Sequence, residues 1–190
     1  MTAQIHNTIL YDGQELAIIE GAKIIEFYPR EYELDPSMVV TSCWNGYWCN
    51  YEVAGDRLVL KNLFIHTRDD SYPDLAGVSV LPVQYVEHEC YTIRNGEGAM
   101  ERRREPAHDG HREYRDVGLP VGADGVLLAG DGFDHRYYVH MGWQYPWAYE
   151  RLYELEFKHG RLVRVEDKSA WAAEQRAAYD AEPKGRDDLF

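Results

Sequence analysis

The stretch Thr41–His66 reads T-S-C-W-N-G-Y-W-C-N-Y-E-V-A-G-D-R-L-V-L-K-N-L-F-I-H. It predicts a long aromatic strand, a tight turn at Ala54-Gly55-Asp56 and a return strand from Arg57 to His66. Period two sets Tyr47, Cys49, Tyr51 and Val53 on one face and Trp48, Asn50 and Glu52 on the other. On the return strand it sets Leu58, Leu60 and Phe64 against Val59, Leu63 and Ile65. Both faces of that strand are apolar, which predicts a central strand covered on both sides.

A second stretch echoes the first. Trp143, Tyr145, Trp147, Tyr149, Tyr153, Leu155 and Phe157 all fall on odd positions, with Gln144, Glu150, Glu154 and Glu156 on even ones. His159-Gly160 predicts a turn and Arg161–Val165 a return. Tyr51-Glu52-Val53 before Arg57-Leu58-Val59 parallels Tyr153-Glu154-Leu155 before Arg161-Leu162-Val163. The pair reads either as an internal repeat or as two ordinary hairpins.

Working outward, Asp12-Gly13 between apolar runs signals an N-terminal hairpin. Val83–Ile93 reads as a strand interrupted at Glu87-His88-Glu89. Residues 94–116 hold six arginines and six acids and few large apolar side chains, which predicts a charged loop. Gly125–Ala129 and Phe133–Met141 read as strands about an Asp131-Gly132 turn, and Ala170–Ala181 as a helix anchored by Trp171 and Tyr179. The expected fold is mainly β with a C-terminal helix, a β-rich α+β arrangement. It is an antiparallel sandwich or open barrel of roughly eight to twelve strands. It forms a single domain over residues 1–182, with 94–116 as the boundary if the two halves are similar, and a frayed tail over 183–190.

Composition narrows the function. The 190 residues carry 20 Lys and Arg against 33 Asp and Glu, a net charge of −13. That balance disfavours nucleic acid and anionic membrane surfaces, and it suits a basic protein partner. No apolar run approaches the roughly 20 residues of a membrane span. With no export signal and an odd number of cysteines (Cys43, Cys49 and Cys90), the expectation is a cytoplasmic protein with reduced thiols. Cys43 and Cys49, placed on one strand, would sit about 20 Å apart, beyond disulfide reach.

Signals for chemistry are sparse. Phosphate-loop, dinucleotide and G-x-S-x-G patterns do not occur, and no spacing matches a zinc motif, so neither cofactor nor metal is expected. The densest cluster that could do acid–base work is Asp131, Asp134 and His135, with His140 nearby. Trp44, Trp48, Trp143 and Trp147 are the candidates for stacking on a sugar or anchoring a peptide.

The segments C-W-N-G-Y-W-C-N-Y-E-V and R-L-V-L-K-N-L, with Y-V-H-M-G-W-Q-Y-P-W and Y-E-L-E-F-K-H-G-R-L-V, resemble those of a group of uncharacterised bacterial proteins. The resemblance covers the two aromatic hairpins and implies one shared fold, with no activity to carry over. The function expected is therefore a non-enzymatic binding protein, such as an acidic immunity or inhibitor protein for a basic partner. The alternative is a small-ligand binder or hydrolase-type enzyme with a pocket near Asp131 and His135.

Overall fold

The computed structural model describes residues 4–94, 97–140 and 144–181. Two N-terminal strands, β1 (Thr8–Tyr11) and β2 (Gln14–Glu20), form the hairpin signalled by Asp12-Gly13. The strand β3 (Ile25–Glu26) is two residues long. The opening stretch supplies β4 (Tyr47–Ala54) and β5 (Arg57–Ile65). After these come β6 (Tyr85–Arg94), β7 (Glu97–Pro106), β8 (Arg112–Tyr114), β9 (Leu119–Pro120) and β10 (Gly122–Ala123). The chain then runs through β11 (Gly125–Phe133), β12 (Tyr149–Lys158), β13 (Arg161–Asp167) and the helix α1 (Ser169–Ala181). The fold is mainly β, as expected.

The main sheet runs β13-β12-β11-β2-β1-β4-β5 and then returns to β13, because Arg57 of β5 pairs with Arg161. The Leu58 N–H donates to the Gly160 carbonyl and the Leu162 N–H to the Asp56 carbonyl at that corner. A ring of strands must come back to its starting direction, so it holds an even number of antiparallel pairs. Seven strands then require a parallel one, and β1 with β4 is that pair. Beyond the corner, the same edge of β5 takes β9 at Val59–Leu60 and β8 at Leu63–Ile65. Strands from both sides of the charged stretch thus share one sheet.

One apolar cluster fills the ring. It draws on Ile9, Leu16, Ile18, Cys49, Tyr51, Leu58, Leu60, Leu63, Ile65, Leu127, Leu155 and Phe157, all nearly inaccessible to solvent. The two aromatic hairpins therefore meet in the same core. A bulge corrects the simple period on β5: Tyr51 faces Leu60 while Asn50 faces Asn62, so Lys61 is the extra residue. Leu58 and Leu60 point inward before the bulge, and Leu63 and Ile65 do so after it. Phe64 is thereby turned to the outer face, opposite Trp48.

Several expected boundaries move. Cys43–Gly46 is a turn in front of β4 rather than the start of a strand, with the Gly46 N–H donating to the Cys43 carbonyl. The strand-based spacing of Cys43 and Cys49 therefore does not hold, although both remain free thiols. The supposed turn at Asp131-Gly132 is strand, and the strand expected from Phe133 onward is not formed: β11 ends at Phe133 and a 3-10 turn covers His135–Tyr137, while Met141 lies outside the described residues. The charged loop is not a loop. Residues of β6 and β7 form a regular two-stranded ribbon, and Glu87-His88-Glu89 runs through it uninterrupted, because each faces an arginine of β7. The helix α1 docks through Ala172, which is buried, and through Arg176, whose guanidinium donates to the Trp147 and Tyr149 carbonyls. Trp171, an expected anchor, is exposed. The tail 183–190 lies outside the described residues.

Gly46 lies at φ +74°, and a Cβ there would come within 2.6 Å of the Ser37 backbone. Gly55 has a similar φ of +67° with open space around it. In thermal melts, Gly55→Ala should cost about 1 kcal/mol from backbone strain alone, and Gly46→Ala at least ~2 kcal/mol more. Equal losses would mean that the Cys43–Gly46 turn is not packed as described.

Candidate functional site

The residues buried against expectation lie together. Among the described residues, the buried polar side chains are Thr67, His111 and Glu113, all on or beside the end of β5 and on the strand that covers it. Among the described residues, the two buried side-chain nitrogens without a hydrogen-bond partner are His66 Nδ1 and His111 Nε2. A backbone outlier adjoins them: His108 and Asp109, both at φ +52°, sit in the left-handed region just ahead of β8. Each such residue costs on the order of 1–3 kcal/mol and persists only where its surroundings enforce it.

The site is built on the outer face of the barrel. Trp48 of β4 stacks on Phe64 of β5, centroids 4.9 Å apart and planes within 7°. The 3-10 turn Ala107–Gly110 and the start of β8 fold over this pair. His111 meets the Trp48 ring edge-on at 4.8 Å, and His108 lies 4.6 Å from Phe64. His66 completes the cluster, 6.4 Å from His111 between ring centroids. The Glu113 carboxylate is buried and takes a two-pronged bond from Arg115 at 2.8 Å for each prong.

His111 Nδ1 lies 2.9 Å from the His108 carbonyl. A carbonyl only accepts, so Nδ1 carries the proton and Nε2 keeps its lone pair. The left-handed turn at His108 is what aims that carbonyl. Burial pushes the His111 imidazole below its usual range, and the neighbouring His66 and His108 add to this. The bond to the His108 carbonyl and the charge on Asp109 oppose it. Burial also raises the Cys43 thiol, helped by Asp109, and holds Cys49 up at about 12, so both stay protonated and unreactive.

The chain matches no protein-family model, no curated protein and no solved structure.

The residues named from sequence are placed elsewhere. Asp131 pairs with Arg151 across β11 and β12. Asp134 caps the turn over His135–Tyr137 by accepting from the Arg136 N–H at 3.0 Å. It also holds the Arg136 guanidinium, which keeps its carboxyl below the usual range. His135 and His140 are exposed beside Phe133 and Tyr138, and neither is ion-paired to a carboxylate among the described residues. Trp44 is exposed, Trp48 lies in the histidine cluster, and Trp147 packs among Tyr137, Tyr145 and Tyr179 under α1. Trp48 and Trp147 thus belong to separate clusters. Trp143 lies outside the described residues. The histidines of the cluster were not singled out from sequence, because His66 is 42 residues from His108 and only the pairing of β8 with β5 joins them.

The His111 environment sets a pH dependence. The unfolded chain takes up this proton near pH 6.5 and the folded chain only at lower pH, so stability is complete above about 6.5 and falls as pH drops below it. The carboxylates lowered by arginine partners act further down, below about pH 4. Denaturant midpoints measured from pH 7.5 to 5 should fall in the wild type and fall less in His111→Gln. Identical profiles would contradict this environment.

Proposed function

We propose that the protein is a non-enzymatic binding protein that caps a basic protein partner, in the manner of an immunity or inhibitor protein. The observation that carries this reading is the β6–β7 ribbon. Its ten-residue strands pair only with each other among the described residues. An isolated two-stranded ribbon is marginal in water, and a third strand or a packed face stabilises it. Large apolar side chains stand exposed along it: Tyr85, Val86, Tyr91 and Met100, the last two at 67% and 62%.

The ribbon also carries its own pattern for a third strand. Strand β6 offers Glu87 and Glu89, and β7 answers with Arg104 and Arg102 in register, Arg102 reaching Glu89 at 3.2 Å. Arg104 lies over the Tyr85 ring at 4.7 Å. A basic strand added at the other edge of β6 would meet the same acids, as in strand addition to a sheet edge. Two copies of this chain joined symmetrically, β6 to β6 or β7 to β7, would set like charges opposite each other. Residues 85–106 hold five acids and four arginines, so nearly all of the net −13 lies on the rest of the chain, where it attracts a basic partner to the protein as a whole while Glu87 and Glu89 supply the local contacts.

The probe is an alternating Arg-Val peptide, with its Glu-Val counterpart as control, titrated by fluorescence anisotropy at low and at physiological salt. The basic peptide should bind, weaken with salt and lose at least about 10-fold in Glu87→Lys/Glu89→Lys. Equal binding of both peptides, no binding, or indifference to the double change would overturn the reading.

A further inference from the structure

We propose that His66 and His111 together bind one monovalent copper ion on the outer face of the barrel, through Nδ1 of His66 and Nε2 of His111. The two atoms are buried and without a hydrogen-bond partner, on rings that are immediate neighbours. Buried polar atoms are as a rule hydrogen-bonded, so two unsatisfied nitrogens in one place call for an explanation.

The chemistry of His111 suits a ligand. Its Nδ1 donates to a backbone carbonyl, which fixes the tautomer that leaves Nε2 as the lone-pair end. This is the outer bond that metal-binding histidines almost always make. That carbonyl belongs to His108, the first residue of the left-handed His108–Asp109 pair.

Geometry and ligand number select the ion. Two imidazoles bound at about 2.0 Å to one ion bring their centroids about 6 Å apart when nearly opposite, but only about 5 Å apart at a tetrahedral angle. The observed separation is 6.4 Å. No group of three or more His, Cys, Asp or Glu suited to a metal occurs among the described residues. Zinc and cobalt seek such sets, whereas monovalent copper accepts two opposed nitrogens. Trp48 and Phe64 wall one side with carbon, which favours a low charge over a divalent one.

The experiment uses the full chain carrying Cys90→Ser, which removes the thiol of the ribbon. Monovalent copper is titrated under argon against a chromophoric chelator, with zinc and cobalt(II) in parallel. The expected result is one copper per chain, a loss of at least about 100-fold in His66→Gln and in His111→Gln, and no tetrahedral cobalt spectrum. Because a histidine change can unsettle the fold, nitrogen-15 imidazole spectra of the unaltered site give a second readout: copper should shift His66 Nδ1 and His111 Nε2 and leave the other histidines in place. Absence of copper binding, binding that survives in the double Gln variant, or shifts at other histidines would overturn the proposal.

Discussion

The far edge of β5 is the constraint on which the structure depends. One side of this strand pairs along its length with β4. The other side is shared out among β13, β9 and β8. The first contact closes the ring, and the last places the histidine turn over Trp48 and Phe64. Leu58, Leu60, Leu63 and Ile65 then fill the middle of the core at 0% exposure. Burial of four such side chains stabilises the fold by about 1.5–3 kcal/mol each, so β5 holds barrel and site together.

The bulge at Lys61 is the link between core and surface. Without it, strict alternation would send Leu63 and Ile65 outward and Phe64 and His66 inward. With it, the aliphatic residues stay in the core and the aromatic and imidazole residues form the outer face. A single extra residue thus converts the end of an apolar strand into the floor of a polar site. The strained turn before β8 then supplies the roof, and its cost is offset by stacking of about 1 kcal/mol for each well-formed aromatic pair.

Much of the architecture was legible in the residues. Period two marked both aromatic hairpins, Asp12-Gly13 marked the first turn, and the Ala-rich segment marked α1 almost to the residue. The ribbon was legible only in part: the apolar residues of Val83–Ile93 marked β6, but the run Glu101–Glu105 is charged at every position and hides β7, and cross-strand Glu–Arg pairing is what carries both strands through their charged stretches. The candidate site was missed for a different reason. His66, His108 and His111 are brought together by a three-residue strand, and no local spacing encodes that pairing. The cluster at Asp131, Asp134 and His135 was dense in sequence, but arginines two residues along the chain and one strand across take up its carboxylates.

In the proposed capping role the barrel is a self-sufficient scaffold and the ribbon is completed by a partner. Hydrogen exchange of the isolated protein tests this most directly. Amides of β5 should exchange only through global unfolding, while those of β6 and β7 exchange orders of magnitude faster from the folded state. Protection in the ribbon equal to that in β5, in a monomer, would show that it needs no third strand and would contradict the proposed role.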